Sequence, residues 1–94
     1  MYGLIGSFDA HPGQRDALIA AMTEGAQPMP GCLSYVVAKD PGNPDRLWIT
    51  EVWTDEESHK ASLQIAWVKA AIGTAMPLIA AFGTQQVTEP VSVA

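Results

Sequence analysis

Two side chains suited to proton transfer or nucleophilic attack stand close together in this 94-residue chain. His59 and Ser62 are three positions apart, so a helix in this region would place them on one face. A hydrolytic serine–histidine pair also needs an orienting acid and an oxyanion hole, and the sequence signals neither, so hydrolysis is not predicted. His59 keeps two interpretations, an ordinary helix residue or a general base, because a neutral imidazole can accept protons near pH 7.

Glu51 is the second candidate for acid–base chemistry, because it lies in an apolar stretch beside Val52 and Trp53. A carboxylate in such a place needs a partner or acquires a raised pKa. One interpretation is a structural acid paired with Arg46 or with a helix side chain. The other is an acid or base at the edge of a pocket.

Aromatic side chains are concentrated around one predicted hairpin and one predicted helix: Tyr35, Trp48, Trp53 and Trp67. Core packing accounts for most such residues in proteins. Aromatic walls with a few polar groups are also typical of a pocket for an apolar, planar ligand. The sequence leaves both interpretations open.

The sequence lacks the residues needed for a disulfide, a metal site or a phosphate-binding loop. Cys32 is the only cysteine, so no internal disulfide can form, and we expect a small buried residue rather than a catalytic thiol. His11 and His59 are too far apart in sequence for a metal motif. Glycine-rich phosphate loops, the G-x-S-x-G elbow and the H-E-x-x-H zinc motif do not occur. The sequence therefore predicts no metal and no cofactor.

The charge of the chain argues against several partners. Its net charge is −5 with only five Lys and Arg residues, so no basic stripe can neutralise phosphates, and nucleic acid is not an expected ligand. The same acidic balance argues against anionic membranes. The start of the chain lacks the positive region of a signal peptide, and the apolar stretch 70–83 is too short to span a bilayer. A cytoplasmic protein is predicted.

Hydrophobic periodicity predicts the elements that position these residues. Strands are expected at 2–8, 32–39, 46–53 and about 83–89, and the turn 40–45 should join the second and third as a hairpin.

Two helical regions are expected between the strands. The first should run from Gln14 to the breakers at 28–31. The second should begin near residue 55 on a capping box of Thr54 and Glu57, restart near 63–66 and end at Gly73. The resulting order βαββαβ predicts an α+β, ferredoxin-like fold with a four-stranded antiparallel sheet. One domain should occupy residues 1–94, with a core of about 2–89 and a tail at 90–94.

Both faces of the predicted hairpin are apolar. In the third strand they carry Leu47, Ile49 and Trp53 on one side and Trp48, Thr50 and Val52 on the other. In the second they carry Leu33, Tyr35 and Val37 against Cys32, Val36 and Ala38. Helices can cover one face, and the other would remain an unusually large apolar patch on a monomer. A second copy packed sheet to sheet would cover it, so the sequence predicts a homodimer.

Three segments in order, 30–35, 40–45 and 51–57, resemble the antibiotic biosynthesis monooxygenase (ABM) family. The most telling parts are the Pro30-Gly31 entry to the second strand and the Glu51-x-Trp53 end of the third. The resemblance extends from Tyr2 to about Thr88. It implies a dimeric α+β barrel and, for the best-known members, oxygenation of quinols or polyketide-like phenols without metal, flavin or haem.

The resemblance also implies a cleft between sheet and helices, lined by Glu51, Trp53 and His59. We count His59 and Glu51 as candidate catalytic residues, and the candidate substrate contacts are Trp53, Tyr35, Ser62 and Trp67. Quinol-oxidising relatives usually carry a histidine where this chain has Ser62. Either His59, one turn earlier, takes that role, or the chain lacks it.

Haem-degrading relatives are similar in outline but use an asparagine, a tryptophan and an axial histidine. This chain has Gly6, Ser62 and Ile72 at the matching positions, so haem degradation is disfavoured. The favoured function is a cofactor-independent monooxygenase, an oxidoreductase that acts on a quinol or an aromatic polyketide-like phenol. The alternatives are a non-catalytic dimeric barrel that binds a small apolar ligand, and an isomerase or cyclase on the same fold.

Overall fold

A computed structural model describes residues 1–94. Its elements in chain order are β1 (Tyr2–Ala10), α1 (Arg15–Thr23), β2 (Cys32–Lys39), β3 (Arg46–Trp53), α2 (Glu56–Ser62), α3 (Ala66–Ala75), a 3₁₀ turn (Met76–Leu78) and β4 (Ile79–Thr88). The four strands form one antiparallel sheet in the order β2-β3-β1-β4. The predicted ferredoxin-like α+β fold is confirmed. None of the helices has the length and apolar character needed to cross a membrane.

The β2–β3 hairpin begins and ends as predicted, because polar contacts hold its turn. The Asp40 carboxylate accepts hydrogen bonds from the Gly42 amide at 2.8 Å and from the Trp48 indole at 2.9 Å. From α1, the Arg15 guanidinium donates to three carbonyl oxygens of the turn, the shortest bond being 2.8 Å to Asn43. These bonds tie α1 to the hairpin, and the Asn43 and Arg46 carbonyls also accept backbone hydrogen bonds, from the Arg46 and Asp40 amides.

The helices differ from the predictions at their ends. Helix α1 ends at Thr23, earlier than the breakers at 28–31 indicated. The capping box of Thr54 and Glu57 is wrong: Asp55 caps α2 and accepts from the Ser58 amide at 2.7 Å. The reason is that the Thr54 amide still belongs to the end of the hairpin, where it donates to the Gly31 carbonyl at 2.9 Å.

The second helical region restarts as predicted, and the gap between α2 and α3 covers residues 63–65. Helix α3 continues past Gly73 to Ala75, and β4 starts at Ile79 rather than near residue 83. The 3₁₀ turn at Met76–Leu78, with its proline, leads directly from helix to strand.

The core lies between the sheet and the helices. Leu18 from α1 and Leu47 from β3 are fully buried, and Ala10, Ile49 and Ala75 complete the cluster. Only nine of the 94 residues are buried. So small a core leaves much apolar surface exposed for a chain of this length.

The opposite sheet face, called here the outer face, carries no helix. Val36 is 51% exposed there, and its neighbours across the ladder include Thr50, which in turn pairs with Ile5. Cys32 was predicted to share this face, and that is wrong. A β-bulge at Leu33 sets Cys32 opposite Trp53 on the helix side, where it is half-buried.

Candidate active site

The candidate site is a cavity of about 270 Å³ between the sheet and the helices. Thirteen of its 16 lining residues are hydrophobic. All six residues singled out in the sequence line it: Tyr35, Glu51, Trp53, His59, Ser62 and Trp67. Trp48 does not, because it lies on the outer face, where its indole bonds Asp40.

Strand register brings the polar residues of the cavity together. Glu51 on β3 is paired with Tyr35 on β2 and with Leu4 on β1, so the three share the helix side of the sheet. Trp53, two residues after Glu51, points the same way and is buried. His59 reaches the same place from α2, which starts three residues beyond β3.

Glu51 is the carboxylate of this cavity. Its Oε1 accepts a hydrogen bond from the Trp53 indole at 3.0 Å. Burial raises the pKa of Glu51, and the Trp53 hydrogen bond and the nearby His59 oppose that rise only partly. The suggested pairing with Arg46 is wrong, because the Arg46 guanidinium bonds Asp9 at 2.7 Å. Glu51 therefore forms no ion pair with Arg46, and its raised pKa is typical of a carboxyl at a functional site.

His59 is half-buried between two aromatic rings rather than exposed on the helix. Its ring centroid lies 5.5 Å from that of Trp53 in an edge-on arrangement, and 5.6 Å from that of Tyr2. No side-chain hydrogen bond holds its imidazole. Both ring nitrogens thus remain available to a ligand.

The negative charge of Glu51 contributes to raised pKa values at Tyr35 and Cys32. Loss of solvation raises the pKa of Tyr35 to about 12, with Glu51 as the next cause, although 40% of the residue is exposed. Burial and then Glu51 also raise the pKa of the Cys32 thiol. A thiol in this setting resists ionisation, which disfavours a nucleophilic cysteine.

Ser62 lies in the cavity wall but does not contact the imidazole. Its hydroxyl donates to the His59 carbonyl at 2.6 Å, a bond inside α2, and only 4% of the residue is exposed. The hydroxyl proton is occupied by its own helix, so no serine–histidine dyad exists. The oxygen of Ser62 can still accept a hydrogen bond.

Much of the apolar wall was not predicted from the sequence. It comes from α1, α3 and the segments next to α1 and α2, and it includes Met22, Met29, Leu63, Val68 and Ile72. The apolar stripes of α1 and α3 are the available signal, because a helix face that packs on a sheet can line a cavity as well as a core. Nowhere in the structure do three metal-ligating side chains lie together.

The arrangement is suited to proton transfer on an apolar molecule. A carboxyl with a raised pKa and an imidazole face a space lined mainly by hydrocarbon, where charge interactions are stronger than in water. Tyr35, Trp53 and Trp67 offer ring surfaces for a planar ligand.

Comparison with known proteins gives a family match and close structural similarity. The family model described as antibiotic biosynthesis monooxygenase matches residues 1–74. A crystal structure of a proposed antibiotic biosynthesis monooxygenase from Chloroflexus aurantiacus J-10-fl is 60% identical, with a TM-score of 0.95, over 99% of this chain and 95% of that one.

More distant structures share the fold. Proposed antibiotic biosynthesis monooxygenases from Nitrosomonas europaea and Deinococcus radiodurans are 16% and 21% identical, with TM-scores of 0.86 and 0.78. The alignments cover 98% and 100% of this chain, and 100% and 96% of the other chains. No curated protein matches the chain.

Proposed function

The chain belongs to the antibiotic biosynthesis monooxygenase family, and on that premise we propose that it oxidises a quinol or an aromatic polyketide-like phenol with O₂. The proposed reaction uses no metal, flavin or haem, because an ionised electron-rich ring can itself reduce O₂. The observation that carries the proposal is the placement of Glu51 and His59 together on the wall of an apolar cavity.

The chemistry balances without a further reductant. A ring carbon forms a bond to one atom of O₂, the O–O bond breaks, and the other atom leaves as water. The phenolic proton and the hydrogen of that ring carbon become the two hydrogens of the water. The ring supplies all four electrons and becomes a quinone.

Each polar residue has a role in this scheme. His59 accepts the phenolic proton, and the resulting imidazolium stabilises the ring anion. Glu51, with its raised pKa, is the acid that protonates the departing oxygen. Trp53 positions Glu51 through the indole hydrogen bond. Tyr35 and Trp67 hold the ring, and Ser62 accepts a hydrogen bond from it.

Oxygen uptake with a panel of quinols and phenols tests the proposal. With ¹⁸O₂, one labelled atom should appear in the quinone product and the other in water. Uptake that yields hydrogen peroxide and an unlabelled quinone would contradict monooxygenation.

A second candidate is a non-catalytic protein that binds a small apolar ligand in the same cavity. It is favoured by Ser62, which stands where the resemblance leads one to expect a histidine and donates its proton to its own helix. Saturable binding of phenols with no oxygen uptake on any of them would favour this candidate.

We also propose a homodimer formed through the outer face, in the cytoplasm. Support comes from the absence of a helix on that face, from exposed Val36 and from the small number of buried residues. The unpaired Cys32 suits a reducing compartment.

A further inference from the structure

A second space, of about 340 Å³, adjoins the candidate active site on the same side of the sheet. We call it the strand lobe, and the cavity under the helices the helix lobe. The two share Phe8, Ile49 and Glu51. The strand lobe adds Leu4, Gly6, Gln85 and Val87 on this side of the sheet, and it is also bordered by Ile5 and Gln86, whose register places them on the outer face. Glu51 therefore stands where the two lobes meet.

The strand lobe exists because β1 has a glycine at its centre. Gly6 is paired with Ile49 on one side and with Gln85 on the other, so a row of side chains is interrupted there. A Cβ atom at Gly6 would meet nothing closer than 3.6 Å, the Thr84 carbonyl oxygen. The missing side chain leaves room that an alanine would fill without a clash.

A β-bulge brings Gln85 to this lobe. Phe82 and Gln85 are three residues apart and would face opposite sides of a regular strand. The register shift opposite Ser7 lets both share the helix side, paired with Phe8 and Gly6.

Ser7 and Gly83 hold that bulge in place. The buried Ser7 hydroxyl accepts a hydrogen bond from the Thr84 amide at 2.8 Å. A side chain at position 83 would collide with the same hydroxyl and force it to move, which would disturb its bond with the Thr84 amide.

The side chain of Gln85 has no hydrogen-bond partner within the chain. Its carboxamide makes no intramolecular hydrogen bond, whereas that of Gln86 donates to the Val87 carbonyl at 2.8 Å. The strand of Gln85 lies two positions across the sheet from that of Glu51, a separation of ~10 Å. Such a span exceeds one aromatic ring and suits fused rings.

We propose that Gln85 is a specificity-determining residue that hydrogen-bonds an oxygen on the far part of a substrate with three fused rings. The ring bearing the ionisable hydroxyl occupies the helix lobe at Glu51 and His59, and the remaining rings extend over Gly6. This inference rests on the proposed function for the identity of the hydroxyl ring. It adds the length of the substrate and the position of its second oxygen.

Three probes separate the effect of ligand length from that of a second oxygen. They are 2-naphthol, with two rings, 2-hydroxyanthracene, with three rings, and 2-hydroxyanthraquinone, with three rings and further oxygens. Their dissociation constants can be measured without O₂ from the quenching of Trp53 and Trp67, which line the helix lobe. Wild-type protein should bind 2-hydroxyanthraquinone most tightly.

Gln85→Leu should weaken binding of 2-hydroxyanthraquinone relative to 2-hydroxyanthracene by roughly 2- to 12-fold, the effect of one hydrogen bond. Gly6→Ala should weaken both three-ring probes relative to 2-naphthol by roughly 5- to 100-fold, because its methyl group occupies the surface over which the outer rings extend. Matched controls are Gln64→Leu in the exposed α2–α3 connection, and Gly73→Ala, where a Cβ meets nothing within 4 Å. Neither control should alter these ratios.

An unchanged ratio in Gln85→Leu would overturn the role of Gln85, and an unchanged ratio in Gly6→Ala would overturn the placement of the outer rings, even if the wild type consumes O₂ with a quinol. If the variants selectively lose binding of the three-ring probes but the wild type consumes no O₂, the proposed monooxygenase activity would be refuted. The strand lobe would then remain a binding site. Should Gly6→Ala fail to fold, the Gln85→Leu ratio decides alone, since Gln85 is exposed.

Discussion

Replacement of His59 by phenylalanine tests the proposed base with the least disturbance of its surroundings. A phenyl ring can keep the contacts with Tyr2 and Trp53 but cannot accept a proton. If His59 removes the phenolic proton, oxygen uptake should fall by ~10²–10⁴-fold, the usual contribution of a general base.

The structure also predicts how stability should respond. His59 makes two ring contacts, and each aromatic pair contributes ~0.5–1.5 kcal/mol beyond the buried area. His59→Ala should therefore lower the free energy of unfolding by roughly 1–3 kcal/mol, whereas His59→Phe should retain most of it. In a domain of this size 1 kcal/mol corresponds to a change in Tm of ~4–8 °C.

The assay is initial oxygen uptake between pH 6 and 8, with Tm measured on the same preparations. His11→Phe is the matched control, because His11 is exposed in the turn after β1 and does not line the cavity. The control should keep wild-type uptake.

The reasoning would be refuted if His59→Phe were as active as wild type across this pH range. The base that removes the phenolic proton would then lie elsewhere. An inactive His59→Phe with a Tm as low as that of His59→Ala would contradict the predicted ring packing.

Three further predictions concern assembly, titration and composition. Light scattering should give twice the chain mass of 10.0 kDa, and Val36→Asp should split or unfold the dimer; a monomeric wild type at micromolar concentration would contradict the proposed interface. Because the folded state holds the Glu51 proton more tightly than the unfolded state, stability should fall as pH rises from the ordinary carboxyl range through the raised pKa. Tm measured against pH should show this fall, and Glu51→Gln should remove it; an identical slope in the variant would exclude Glu51 as its source. The purified protein should show no visible absorption band and no stoichiometric metal by elemental analysis, and either finding would contradict the proposed cofactor-free reaction.

The hairpin and its part of the site could be predicted from the sequence because strong breakers bound both strands. Gly31, with a φ of 80°, precedes β2, the turn 40–45 separates the strands, and Asp55 starts α2. Between such boundaries the alternation of side chains assigned Glu51 and Trp53 to their places on β3.

Boundaries without such signals were harder to predict. The run from Ile79 to Phe82 is continuously apolar, and a short apolar run does not distinguish a strand from a helix. The polar, β-branched part of β4 was recognised and its apolar start was not. The contact of His59 with Tyr2 also joins residues distant in the chain, so sequence alone placed His59 on a helix but not between two rings.

Two β-bulges explain why the alternation of side chains along the strands did not predict the faces of Cys32 and Gln85. One extra residue breaks the alternation, so side chains on its two sides no longer follow one period of two, as happens at Leu33 for Cys32 and opposite Ser7 for Gln85. The second bulge depends on a hydrogen bond between Ser7 and Thr84, 77 positions apart, which no local pattern reveals. A relative with the same hairpin motifs but a larger residue at position 83 could not form this bulge unchanged. It should therefore present a different side chain at the end of the strand lobe, and its choice of substrate should differ while the chemistry at Glu51 and His59 is retained.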